Sequence, residues 1–85
     1  MVQTGPMGYA VHVQVTMKKS PNEHEVDLLD HQFGVVEHAH GAKLVSITEH
    51  VSVGGEQDAI EFVRSLVLDA IPQGATITAI TATAD

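Results

Sequence analysis

The stretch KLVSITEHVSV, residues 43–53, decides how many strands this chain makes. Its odd positions Val45, Ile47, Val51 and Val53 are apolar, while Ser46, Thr48, His50 and Ser52 between them are polar. That period of two gives a strand one buried face. Glu49 breaks the pattern. In one straight strand its carboxylate points inward, and an unpaired buried charge is costly. The pattern therefore predicts a break near Thr48 to His50, as a tight hairpin or as a bend with a bulge. Gly, Asn and Pro, which favour such turns, are missing there.

Upstream, Tyr9, Val11, Val13, Val15 and Met17 alternate with Ala10, His12, Gln14 and Thr16, which predicts a first strand with one buried face. Ser20-Pro21-Asn22-Glu23 comes next, reading as a serine N-cap, a proline at the first helical position and a glutamate three residues after the cap. At 100° per residue, Val26, Leu28, Leu29, Phe33, Val35, Val36 and Ala39 share about half of the helix circumference. Glu23, Asp27, Asp30 and Glu37 fill the other half together with His24, His31 and His38. Gly41 is read as the C-terminal stop and Gly34 as a weak point inside the helix. The three histidines recur every seventh residue on the outward side, a face whose charge responds to pH near neutrality.

Downstream, Gly54-Gly55 leads into a second helix. Glu56 and Asp58 sit at its positive end, and Ala59, Ile60, Val63, Leu66, Val67, Ala70 and Ile71 form its apolar arc. Pro72 and Gly74 end it. A last segment from Ala75 to Thr83 alternates Thr and Ala around Ile77 and Ile80, a strand suited to a sheet edge. With a hairpin in residues 43–53 the order is βαββαβ. That order suggests a ferredoxin-like plait, an α+β fold whose antiparallel sheet carries both helices on one face. With one bent strand, a three-stranded βαβαβ sheet is the alternative. Residues 1–8, with Gly5-Pro6, read as a flexible leader before a single compact domain over residues 9–85.

Composition narrows the function. A chain of 85 residues hides only about 60% of its unfolded surface, which allows one core. Eleven acids against the four bases Lys18, Lys19, Lys43 and Arg64 give a net charge of -7, which opposes nucleic acid as a partner. RNA recognition on a plait sheet also needs exposed stacking aromatics, and Tyr9, Phe33 and Phe62 are all better placed toward the core or its edge. The absence of cysteine removes disulfides, thiolate metal sites and cysteine nucleophiles. No apolar stretch approaches the ~20 residues of a membrane span, so a cytoplasmic setting and no membrane partner are expected by default.

Sites are sparse. On one helix, residues seven apart are separated by about 10.5 Å, so His24, His31 and His38 do not share one ion. Asp27 with His31, and His24 with Asp27, are ordinary solvated pairs before they are a weak metal site. Gly54-Gly55 lacks the lysine and the spacing of a phosphate loop, and acids come directly after it. No cofactor or metal is expected. His12 is the one candidate general base, on the strand face away from the valines, near Gln14, Thr16, Ser46, Ser52, Thr76 and Thr78.

Three functional classes fit these residues. The leading one is a non-enzymatic acidic interaction or regulatory module, a homodimer joined through the open sheet face. Its expected interface is His12, Gln14, Thr16, Thr76, Thr78 and Ile80, with the outward Leu68 of the second helix as a further contact. The second is an acidic decoy for a nucleic-acid-handling enzyme, using Glu23, Asp27, Asp30 and Glu37. The third is a small oligomeric enzyme using His12 in a cleft between sheets.

Overall fold

The computed structural model describes residues 7–84. Its elements are β1 (Met7–Thr16), α1 (Glu23–Gln32), β2 (Val35–His38), β3 (Leu44–Val53), α2 (Glu56–Ala70) and β4 (Thr76–Ala84). The four strands form one sheet in the order β2-β3-β1-β4, with every neighbouring pair antiparallel. This is an α+β fold in βαββαβ order, as expected, and the ferredoxin-like plait describes it loosely because β2 is only four residues long. The leader expected over residues 1–8 lies mostly outside the described residues. Met7 and Gly8 already belong to β1, opposite Val53 and Ser52.

The route to four strands differs from the expected one. Residues 44–53 form a single strand with no hairpin at Glu49, and the three-stranded alternative is also overturned. The missing strand comes from the segment assigned to the first helix. That helix stops at Gln32: Phe33 is already extended, with φ -124 and ψ 161, while its N–H still closes on the Leu29 carbonyl at 3.0 Å. Gly34 then lets the chain pass close to β3, where an added Cβ would lie 3.1 Å from Glu49 Oε1 and 3.2 Å from the Thr48 carbonyl oxygen. Val35 and Val36 favour the extended state and pair with Thr48 and Ile47.

Gly41 is the turn residue of the β2–β3 hairpin rather than a helix stop. It sits third in the turn Ala39–Ala42, closed by Ala42 N–H to the Ala39 carbonyl at 2.9 Å, and its φ of +83 favours glycine there. The start of α1 also shifts. Asn22, not Ser20, is the N-cap: its Oδ1 accepts from Glu25 N–H at 2.9 Å, and Glu25 Oε1 accepts from Asn22 N–H at 3.1 Å. Pro21 precedes the cap and is buried.

Both helices contribute to one core on one face of the sheet. Val11, Val13 and Val15 of β1 and Val45 and Ile47 of β3 pack with Leu29 and Phe33 at α1 and with Ala59, Val63 and Val67 of α2. The strand valines are 0–1% exposed, so the middle of the sheet is fully covered. Toward β4 the cover thins: Ile77, Ile80 and Ala82 join the core only partly buried. Among the described residues no helix is long and apolar enough to cross a membrane.

Candidate interaction face

Side chains alternate along a strand, so the register assigns each residue to the helix side or to the open side. His12 pairs with Thr48 on β3 and Thr81 on β4; Gln14 pairs with Ser46 and Ala79; Thr16 pairs with Leu44 and Thr76. All lie opposite the buried valines. Ala10 with its partners His50 and Thr83 continues the row, and β2 adds Val35 and Glu37 opposite Thr48 and Ser46. The structure thus brings His12, Gln14, Thr16 and Thr76 onto one face, as expected.

Two expected members of the face stand elsewhere, Thr78 and Ile80. Between Val15–Ile77 and Gln14–Ala79 the register slips by one residue, leaving Thr78 as the extra residue of a bulge. Its hydroxyl donates to the Gln14 carbonyl at 3.2 Å, so it holds the edge strand in place. The slip reverses the parity of the residues beyond Thr78, and Ile80, opposite Val13, faces the core rather than the open side. Leu68 is 53% exposed on α2, the helix expected to carry it, and so lies on the other side of the sheet from the open face. Sequence alternation missed Val35 and Leu44, which are 46% and 42% exposed on the open face. Val35 was hidden by its fit to a helical arc. Leu44 shares the even parity of Ser46, Thr48, His50 and Ser52, and that is the signal that marks it as an open-face residue.

At the centre of the face, His12 Nδ1 and Thr48 Oγ1 are hydrogen bonded at 3.1 Å. This brings an imidazole and a hydroxyl together, but β1, β3 and β4 supply no carboxylate on this side to orient the ring. The only open-face carboxylate among the described residues is Glu37, on the far strand β2.

The histidines of the expected helical stripe separate. His24 and His31 are exposed on α1, where His31 Nδ1 donates to the Asp27 carbonyl at 2.8 Å. His38 is on β2, half-buried, and its Nε2 donates to the Ala42 carbonyl at 2.7 Å across the hairpin turn. With the helix ended early, His38 turns back toward the start of α1. His24, Asp27, His38 and His40 therefore line a common cleft of about 1030 Å³. Among the described residues no three His, Asp or Glu side chains are arranged to hold a metal ion.

Fold and face together define a small α+β protein with one covered and one bare sheet surface. Compared with protein-family models, with curated proteins and with solved structures, the chain matches none.

Proposed function

We propose that this chain is a non-enzymatic acidic interaction module that associates with a second copy through the open face of its sheet. The observation that carries the reading is the charge of that face. The chain bears a net charge of -7, yet the described open face holds a single carboxylate, Glu37. Acids elsewhere keep such chains apart, while two copies meeting here bring few like charges together. Val35 and Leu44 give the face apolar area to cover, and Ser46, Thr48, Thr76 and Thr81 give it short hydroxyls that hydrogen bond without long side chains to order. A two-fold arrangement then buries the same patch on both copies.

His12 fits this role better than a catalytic one, since its ring is held by Thr48 and no acid lies beside it on β1, β3 or β4. The titratable groups of the face are His12 on β1, His50 on β3 and Glu37 on β2; β4 contributes none.

Sedimentation of the full chain over a concentration series tests the reading. Association is expected at neutral pH. Leu44→Asp, at an exposed site, is expected to remove the open-face contact while the circular dichroism spectrum stays native. An association constant unchanged by Leu44→Asp refutes the proposed face.

A further inference from the structure

The sheet ends in two unlike edges. β2 is four residues long and carries Glu37, and short length and charge are the usual means of keeping an edge from pairing with another chain. β4 is nine residues long, Thr76–Ala84, with no charged residue and no proline. Its one protective feature is the bulge at Thr78. Beyond the bulge, Ala79 to Ala84 run in unbroken register against Gln14 to Tyr9, leaving a regular outer row of backbone donors and acceptors.

A second observation points the same way. Ile77, Ile80 and Ala82 face the core but stay partly exposed, whereas Val11, Val13 and Val15 on the adjoining strand are 0–1% exposed. Although α2 packs against β4, it covers the apolar surface at this edge only in part.

The occupant that fits is another β4. In an antiparallel pair about a two-fold axis at Thr81, Ile80 meets Ala82 on the core side, and Ala79 meets Thr83 on the open side. Every residue keeps its face, which any register on the two-fold must satisfy. No charge meets a like charge, although each chain carries -7 overall. We propose that β4 pairs antiparallel with β4 of a second copy, joining two sheets into one of eight strands and covering Ile80 and Ala82. The contact uses backbone groups at the edge, so it stands independently of the open-face contact and makes that face continuous across both copies.

Residue-resolved amide hydrogen exchange on the full chain tests this, run in the Leu44→Asp variant so that open-face association does not contribute. At high concentration, consecutive amides from Ala79 to Ala84 are expected to be protected. On dilution every second one, directed away from β1, is expected to lose at least tenfold in protection, while outward amides of β2 exchange freely throughout. Adding Thr81→Lys, which sets two ammonium groups against each other on the axis, is expected to return the mass to that of a monomer with native circular dichroism. A monomeric Leu44→Asp chain at millimolar concentration overturns the proposal, as does a dimer whose outward β4 amides stay unprotected. Protection that appears only when an extended foreign peptide is added overturns the assignment to a second copy, and open-ended growth beyond the closed dimer overturns the two-fold.

Discussion

At one edge of the sheet, β2 is held by specific polar contacts: Glu49 to the Gly34 amide, His38 to the Ala42 carbonyl, and the Gly41 turn. At the other edge, β4 is held by composition: alternating Thr, Ala and Ile laid against β1, with one hydroxyl contact at the bulge. The first edge is short and its structure depends on single atoms. The second is long, built from small and β-branched residues, and incompletely covered. Precise local contacts thus terminate a sheet, and a plain repetitive strand leaves it able to continue.

The sharpest way to break this contrast is to delete the same side chain at the covered centre and at the open edge. Ile47, which is 1% exposed beneath the helices, should cost about 2–5 kcal/mol on change to alanine. Ile80→Ala, at a site already partly solvated, should cost roughly half as much in the isolated chain. Urea midpoints measure both. If β4 pairs with β4, the cost of Ile80→Ala grows with protein concentration and that of Ile47→Ala does so less. Equal costs at every concentration would mean that the β4 edge is as well covered as the centre.

The β2 edge is better tested at its closest approach. Gly34→Ala puts a methyl group 3.1 Å from Glu49 Oε1 and 3.2 Å from a backbone oxygen of β3. The carboxylate can swing away but the backbone oxygen cannot, so about 1–3 kcal/mol of stability should be lost, read again from the urea midpoint. An unchanged midpoint would show that the corner between α1 and β2 gives way freely, and that β2 is no more tightly specified than β4.

The same contrast explains which elements are legible in the sequence. β1 and α2 repeat one period over ten or more residues, and each is readable from that period, whereas β4 is readable as a strand with its period interrupted at Thr78. The corner from Phe33 to Gly41 is not. Four residues of strand hold too few repeats to distinguish a period of two from one of 3.6, and Val35, Val36 and Ala39 fit the helical arc by coincidence. Asn22 and Glu25 have the same three-residue spacing as Ser20 and Glu23, so the capping signal is real and its position lies two residues further on. For the open face, parity places His12, Gln14, Thr16 and Thr76 correctly, and a single bulge at Thr78 moves Ile80 to the core. A one-residue slip leaves no mark in composition.

Glu49 shows how an inward carboxylate can be accommodated without a break in the strand. It does need a partner, and the chain supplies one from outside β3: Glu49 Oε1 accepts the Gly34 amide at 3.1 Å, fifteen residues upstream. The pairing accounts for two anomalies at once, the acid in an apolar register and the glycine beside it. Glu49→Gln keeps an oxygen that accepts this hydrogen bond and should be nearly neutral, whereas Glu49→Ala should cost about 1 kcal/mol, modest because the contact is solvent-exposed. Hydrogen exchange at the Gly34 amide reads the contact directly: protection should survive the glutamine variant and vanish in the alanine one. At β4 the matching change, Thr78→Val, removes the hydroxyl from the Gln14 carbonyl and should cost only about 0.5 kcal/mol, because the shape of the side chain is kept and the neighbouring strand pairs remain. A larger loss for Thr78→Val than for Glu49→Ala would reverse the ranking of the edges and make the bulge, not the Gly34 corner, the specific contact on which a sheet boundary depends.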